Sequence, residues 1–293
     1  MVNICVGVNR RANNRHKFNN NPFSGLEQVL NEYEKLAEER GWSISAAPFT
    51  ESARAYALRG DEEGVLRILE RMTNAQVEPS AMFCANLLEI SATNFSSGKL
   101  LLVLAGWFES NFEDYRMERG LTGRLLHVAA ALGTGELAKS ALALQARAGY
   151  ANSAEDYACW ATAYIKASDR DGAFEALMAA EEAGVDLYDN GRLGTSIELL
   201  LCRIFGNHRN KLDQMCDALA QLAREDRRIP AVPAHATIRA AGRLNQVDVL
   251  FGTFHDMYEN ENSERKPTRA AYNAVLAGIG ATLYPSFEQC LRV

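Results

Sequence analysis

The sequence predicts an all-α chain, and three observations indicate this fold class. Apolar residues recur at spacings of three and four, as in Leu26, Leu30, Tyr33 and Ala37, and this is the period of one helix face. Alternation of polar and apolar residues over five or more positions, which is the pattern of a strand, is hard to find. A repeat of 35 residues supplies the third observation and favours a stack of helical hairpins.

The composition favours a folded protein and excludes a membrane-spanning helix. The chain has 293 residues, of which 47% are hydrophobic and 23% are charged, so it can bury a sizeable core. No window approaches the roughly 20 consecutive apolar residues that a membrane-spanning helix needs. Six scattered cysteines without a Cys-x-x-Cys pair favour a reduced compartment and a packing role for the thiols.

The net charge of −6 is distributed unevenly. Residues 1–22 form a basic, asparagine-rich tail with four cations, Arg10, Arg11, Arg15 and Lys17, and with no acid. This composition favours an extended segment over a packed helix. We therefore divide the chain into this tail, which we expect to contact RNA or a partner, and a repeat array over residues 23–293.

The repeat is clearest in the 35-residue windows 46–80, 119–153 and 154–188. When the first window is laid over the third, Phe49 falls on Tyr157, Tyr56 on Tyr164, Leu69 on Leu177 and Val77 on Val185. Gly133 of the second window occupies the turn between helices, beside Gly60. One hairpin cannot bury its own apolar face, so neighbouring hairpins must stack into a continuous core.

These features resemble the pentatricopeptide repeat (PPR) family, because an aromatic opens the first helix, a glycine marks the turn, and Gly-Val or Val-x-Pro closes the second helix. In the same frame, residues 26–45 look like a second helix, residues 81–118, 189–230 and 231–268 like degenerate copies, and residues 269–280 like a further first helix. The resemblance implies a right-handed α-solenoid of about seven partly degenerate hairpins. It also implies that the first helix of each repeat lines the concave surface.

Catalytic and metal-binding motifs are absent from the sequence. The five histidines form no His-x-x-x-His pair and lie near no cysteine at zinc-ligand spacing. The sequence has no phosphate-binding glycine loop and no nucleophile elbow. We therefore expect a non-catalytic protein with no cofactor and no metal.

The resemblance implies single-stranded RNA as the ligand, read by the fifth and last residues of each repeat. The fifth places are Thr50, Ala85, Gly123, Ala158, His235 and Asn273, and the last places include Ser80, Ser153, Tyr188 and Thr268. Ala85, Gly123 and Ala158 carry no polar side-chain atom, so backbone contacts are favoured over base reading. The expected RNA-binding residues are Thr50, Arg54, Ser80, His127, Thr162, Lys166, Tyr188, His235, Arg239, Arg243 and Asn273, with the four cations of the tail.

By the same resemblance, the protein acts in a mitochondrion or another organelle, in RNA metabolism or as a component of a mitoribosome-like particle. Its partners are then single-stranded or ribosomal RNA and the proteins of a ribonucleoprotein assembly, without a membrane. A different class, a helical adaptor that binds proteins and contacts RNA little, is favoured by the net charge and the missing base-reading pairs. A tetratricopeptide-type peptide clamp fits less well, because the copies repeat at 35 residues.

Overall fold

The structure is a computed structural model that describes residues 24–94, 98–111, 116–189, 192–225, 227, 229–258 and 266–282. Within these ranges it contains fourteen α-helices and no strand. The helices are α1 Ser24–Arg40, α2 Ala47–Leu58, α3 Glu62–Asn74, α4 Ala81–Asn94, α5 Lys99–Asn111, α6 Arg119–Leu132, α7 Gly135–Arg147, α8 Ala154–Lys166, α9 Arg170–Glu182, α10 Leu193–Ile204, α11 Arg209–Arg224, α12 Ala231–Arg243, α13 Val247–Tyr258 and α14 Arg269–Ala281. The predicted all-α repeat fold is confirmed.

Each predicted window contains the expected helices. The windows 46–80, 119–153 and 154–188 hold the pairs α2 and α3, α6 and α7, and α8 and α9. The degenerate windows also contain paired helices, and α14 begins at the predicted residue 269. The helices divide into two compact units, one with α1 to α3 and one with α4 to α14.

The unit of α1 to α3 buries the apolar face that the sequence pattern predicts. Phe49 and Tyr56 of α2 pack with Ile68 and Met72 of α3, and all four are at most 1% exposed. The Tyr56 hydroxyl donates to Glu27 Oε1 of α1 at 2.9 Å. The pair Arg71–Glu34, at 2.6 Å, also joins α3 to α1. Burial of side chains of this size contributes about 1.5–3 kcal/mol each.

Two hairpins that the sequence aligns also share their turn. Asp61 caps α3 by accepting the backbone N–H of Gly64, and Asp169 caps α9 by accepting that of Gly172, both at 2.9 Å. A Cβ at Gly64 would collide with the ring of Tyr56, and a Cβ at Gly172 with the ring of Tyr164. Both glycines therefore let an aromatic side chain of the first helix lie against the second helix. The equivalence of the windows 46–80 and 154–188 thus extends to single contacts.

In the unit of α4 to α14, the first helices of successive hairpins pack side by side. α4 contacts α6, α6 contacts α8, and the series continues through α10, α12 and α14. α12 and α14 approach so closely that a Cβ on Gly242 would overlap the backbone of Gly278. Equivalent positions on these helices therefore lie along one row, which we call the first-helix row.

Among the described helices, none combines the length and the apolar composition needed to cross a bilayer. The second helices of the larger unit bury a continuous apolar face, for example through Leu137 and Ala141 of α7 and Leu212 and Met215 of α11. Each of these four side chains is fully buried. The core therefore lies between the first-helix row and the second helices.

Candidate nucleic-acid interface

The first-helix row exposes several of the predicted contact residues of α6, α8 and α12. His127, Lys166 and Arg243 are exposed, and Thr162 is half-buried. Lys166 and Arg243 occupy equivalent places near the ends of α8 and α12. Cations presented on one surface can neutralise the phosphates of a nucleic acid without reading its bases.

His127 and its neighbours form a polar group on α6 and α8. Its Nε2 lies 3.7 Å from Glu155 Oε1, and its Nδ1 lies 3.5 Å from Cys159 Sγ. Burial first, and then the nearby carboxylates Glu155 and Asp156, raise the pKa of the Cys159 thiol to about 11. The thiol is therefore protonated at neutral pH and is not an activated nucleophile.

Three of the predicted residues lie at the hairpin α2–α3 and the start of α4. In the smaller unit, Arg54 is exposed, and the Thr50 hydroxyl donates to the carbonyl of Ala47 at 2.9 Å. In the larger unit, the exposed Ser80 accepts the backbone N–H of Phe83 at 3.2 Å. Thr50 and Ser80 thus use a polar side-chain atom locally, while the Arg54 guanidinium is accessible to solvent.

Base-reading places on α4, α6 and α8 lack hydrogen-bonding side chains, as the sequence indicates. Ala85 and Gly123 are half-buried, and Ala158 is only 6% exposed. A fixed donor and acceptor are needed to match the edge of a base. These three positions therefore supply no side chain for sequence recognition.

The expectation that His235 lies on an accessible surface is wrong. Its side chain is completely buried. Its Nδ1 lies 2.7 Å from the Tyr188 hydroxyl and 3.3 Å from Glu198 Oε1, and its Nε2 lies 2.7 Å from the Tyr258 hydroxyl. The imidazole thus joins the segment after α9 to helices α10, α12 and α13 instead of facing a ligand.

Arg239 also differs from its expected role as an unpaired cation. Its Nε donates to Glu198 Oε2 at 2.6 Å, and its side chain is only 15% exposed. The Glu198 carboxylate, which is 1% exposed, neutralises this guanidinium within the protein. The expectation of an unpaired phosphate-binding charge at Arg239 is therefore wrong.

Tyr188, expected to offer a stacking surface, is half-buried and held by hydrogen bonds. Its hydroxyl donates to Glu198 Oε1, and its ring lies 5.4 Å from that of His235, centre to centre, at a tilt of 48°. Burial, followed by the charge of Glu198, raises the pKa of the Tyr188 phenol. The Tyr188 hydroxyl is therefore used in internal hydrogen bonds.

Glu198 is the residue on which this cluster depends. Burial alone would raise the pKa of its carboxyl, but the hydrogen bonds from His235 and Tyr188 and the charge of Arg239 together lower it. The carboxyl is therefore ionised at neutral pH and accepts hydrogen bonds from several elements at once. We call the group of Tyr188, Glu198, His235, Arg239 and Tyr258 the buried polar cluster.

Glu198 and Tyr258 are not among the residues expected from the sequence, although α10 contains a usable signal for Glu198. Glu198 is the single acid in the helix sequence LGTSIELLLCRI, where it stands beside Ile197 and one turn before Leu201 and Cys202. An isolated charge on the apolar stripe of a helix requires a buried partner. No comparable signal distinguishes Tyr258 at the end of α13.

The buried polar cluster borders a cleft of about 810 Å³. Its walls come from the segment Val185–Asp189, from α10, and from the beginnings of α12 and α14. Asn273, the expected fifth-place residue of the last repeat, is exposed and lines this cleft with Tyr188 and Arg239. The structure thus brings these three predicted residues together, while His127, Thr162, Lys166 and Arg243 do not line the cleft.

Some predictions concern residues for which the structure gives no description. Arg10, Arg11, Arg15 and Lys17 of the basic tail lie outside the described residues. In the described part of the chain, no group of three or more His, Cys, Asp or Glu side chains is arranged to hold a metal ion.

The fold and the first-helix row define an all-α helical-hairpin repeat protein. Residues 119–257, from the beginning of α6 into α13, match the family model described as "Pentatricopeptide repeat-containing protein". Residues 119–257 of this chain are therefore similar to pentatricopeptide repeats, as the motifs in the sequence indicate.

One solved protein structure aligns with most of this chain. The crystal structure of the pentatricopeptide repeat protein PPR10 from maize aligns with 17% sequence identity and a TM-score of 0.37. The alignment covers 86% of this chain and 34% of the maize chain, so this chain spans about one third of that protein's length. No curated protein shows significant sequence similarity.

Proposed function

We propose that the chain binds single-stranded RNA along the first-helix row, without catalysis and mainly through contacts to the RNA backbone. The observation that carries the proposal is the side-by-side packing of first helices within a region that matches the pentatricopeptide repeat family. This packing aligns equivalent positions of successive repeats, as a ligand that extends along the array requires. Lys166 and Arg243, both exposed at equivalent places, supply the positive charge.

The lack of polar side chains at three fifth places supports backbone binding over sequence recognition. Ala85, Gly123 and Ala158 cannot donate or accept through their side chains. Phosphate contacts need only cations within a groove, so a protein with such repeats can hold RNA of many sequences. We expect affinities that differ little between unstructured oligonucleotides of different sequence.

A salt titration tests this mode of binding. In a fluorescence anisotropy assay with a labelled single-stranded RNA, the affinity should fall with salt by a slope of about −0.7 for each phosphate neutralised. The double variant Lys166→Glu with Arg243→Glu should bind more weakly and should lower the slope by about 1.4, because it removes two phosphate contacts. Absence of binding at low salt would reject the proposal.

A matched control distinguishes the first-helix row from the overall charge. Lys211→Glu with Arg224→Glu makes the same change in net charge on α11, a second helix, where both side chains are exposed. This control should retain the RNA affinity of the parent protein. If the two double variants lose affinity equally, the binding depends on the overall charge, and the first-helix row is not the interface.

The proposal includes a cellular setting, which rests on the family and on the composition of the tail. We place the protein in a mitochondrion or another organelle, in RNA metabolism or in a mitoribosome-like particle with ribosomal RNA and other proteins as partners. Replacing the tail residues Arg10, Arg11, Arg15 and Lys17 with Gln should weaken RNA retention if the tail contributes. Crosslinking in cells, followed by sequencing of the bound RNA, would identify the compartment and the target.

A protein adaptor is the second candidate function. Specific observations favour it: the net charge of −6, the internal use of His235 and Arg239, and acidic residues around the cleft. A purely adaptor role predicts no RNA binding at any salt concentration and recovery of the chain with protein partners alone.

A further inference from the structure

The cleft beside the buried polar cluster has a charge that does not suit RNA. Its acidic lining residues are Glu181, Asp186, Asp189 and Glu198, and its basic ones are Arg239 and Arg269. Glu198 and Arg239 form an ion pair and neutralise each other. Three carboxylates and one guanidinium remain, so the cleft repels phosphates and attracts cations.

The acids differ in how accessible they are to a ligand. Glu181 is half-buried, and its Oε1 accepts the backbone N–H of Ala231. Asp186 and Asp189 are exposed and line the cleft, and Asp186 Oδ1 accepts the backbone N–H of Tyr188 at 2.8 Å. A carboxylate has lone pairs for further donors, so both aspartates can pair with an incoming cation.

The lining of the cleft also includes apolar residues. Val185 and Ala270 are half-buried and offer apolar surface, whereas Leu177 and Val232 are almost fully buried. A volume of about 810 Å³ is within the range of ligand clefts and can hold several side chains of an extended peptide. A ligand that combines cations with apolar groups therefore matches this lining.

Hydrogen bonds of the buried polar cluster hold two residues that line the cleft, Tyr188 and Tyr258, in place. The Tyr188 hydroxyl is fixed by Glu198 and lies 2.7 Å from His235 Nδ1, and Tyr258 lies 2.7 Å from His235 Nε2. A wall that is already ordered loses little conformational entropy on binding. These two fixed side chains favour recognition of a defined peptide.

We propose that this cleft binds an extended, basic peptide segment of a partner protein. Lysine or arginine side chains of the segment pair with Asp186 and Asp189, and its apolar side chains pack against Val185 and Ala270. The partner is thus recognised both by charge and by apolar contact. Peptide binding depends on the carboxylates of the cleft, whereas the proposed RNA binding depends on Lys166 and Arg243, which do not line the cleft, so either can fail without the other.

The test uses the full chain and a labelled peptide, Gly-Arg-Val-Arg-Val-Arg-Gly, in a fluorescence anisotropy titration. We expect saturable binding that weakens with salt. In the variant Asp186→Asn with Asp189→Asn, the dissociation constant should rise about tenfold, since two exposed ion pairs are lost. Asparagine keeps an acceptor oxygen for the Tyr188 N–H, so the segment Val185–Asp189 should remain folded.

The matched control removes the same charge elsewhere. Asp213→Asn with Asp217→Asn lies on α11, where both side chains are exposed and neither lines the cleft. It should leave the peptide affinity unchanged within twofold. A second cleft variant, Ala270→Arg, places a bulky cation at the half-buried Ala270 of the lining and should abolish peptide binding while circular dichroism stays unchanged.

Several outcomes would overturn the proposal. They are an absence of saturable peptide binding, equal losses in the cleft and control variants, and equal affinity for a peptide with Glu in place of Arg. Displacement of the peptide by single-stranded RNA would show that the cleft is part of an RNA site. None of these outcomes decides whether the chain binds RNA, because the RNA titration of the Lys166 and Arg243 variant tests that proposal separately.

Discussion

Substitution of Glu198 by Gln tests how strongly the buried polar cluster holds the repeats together. Glutamine has nearly the same shape but no charge, and its amide nitrogen cannot accept a hydrogen bond. Arg239 would lose its carboxylate partner at 2.6 Å, and either Tyr188 or Arg239 would face an amide donor. The substitution therefore leaves hydrogen-bond donors without an acceptor at a site that α10 and α12 shield from water.

The size of the effect follows from burial. Removing one member of a buried ion pair costs about 3–5 kcal/mol, because the other charge is left without compensation. Arg239 is 15% exposed and can recover part of its hydration, so we expect the lower end of that range, about 3 kcal/mol. For a folded unit of roughly 200 residues, this corresponds to a fall in Tm of about 6–12 °C.

Urea titration and scanning calorimetry of the full chain measure this loss. The matched control is Glu89→Gln, because Glu89 pairs with Arg124 at 3.2 Å while both side chains are about half exposed, at 52% and 49%. An exposed pair contributes at most about 1 kcal/mol, so the control should change the Tm little. If Glu198→Gln is as mild as Glu89→Gln, the buried polar cluster does not stabilise the fold as we argue.

Two further predictions concern pH and the packing of helices. The pKa of Glu198 is lowered from its usual value of 4.5, so its stabilising effect is complete above that value and is lost as the pH falls through the lower folded pKa. The difference in unfolding free energy between the parent protein and Glu198→Gln should therefore be constant at pH 6–7 and shrink below about pH 4.5. A difference that grows in acid would contradict a lowered pKa of Glu198 in the folded protein. Gly242→Ala should cost about 3 kcal/mol in the unfolding free energy, since its Cβ would overlap the backbone of Gly278, whereas Gly252→Ala has free space and should gain about 0.5–1 kcal/mol. Equal denaturation midpoints for these two alanine variants would show that α12 and α14 can separate at no cost.

The positions of the helices could be predicted from the sequence, because the residue patterns that indicate a helix are local. Glycines with left-handed backbone follow α1, α6 and α9, at Gly41, Gly133 and Gly184, and the sequence pattern predicts the turn at Gly133. The 35-residue period also placed Tyr56 and Tyr164 in equivalent surroundings. Such patterns report on a few consecutive turns and need no knowledge of the tertiary contacts.

The failures occurred where the role of a residue depends on distant partners. His235 and Arg239 have the spacing of surface positions on α12, but Glu198 lies 37 and 41 residues away in the chain. Only the packing of α10 on α12 brings these groups together and removes them from water. The positions of His235 and Arg239 within the repeat could therefore be predicted from the sequence, whereas the burial of their side chains could not.

One contact found in two hairpins limits how repeats of this chain can be exchanged. The Tyr164 hydroxyl donates to Glu136 of the preceding hairpin at 2.7 Å, as Tyr56 donates to Glu27. In both cases, the tyrosine of one hairpin depends on a carboxylate that the preceding helix in the chain supplies. If α8 and α9 were moved to another position in a chimeric protein, the hairpin before them would need a carboxylate at the place of Glu136. Two consecutive hairpins should therefore be transferred together.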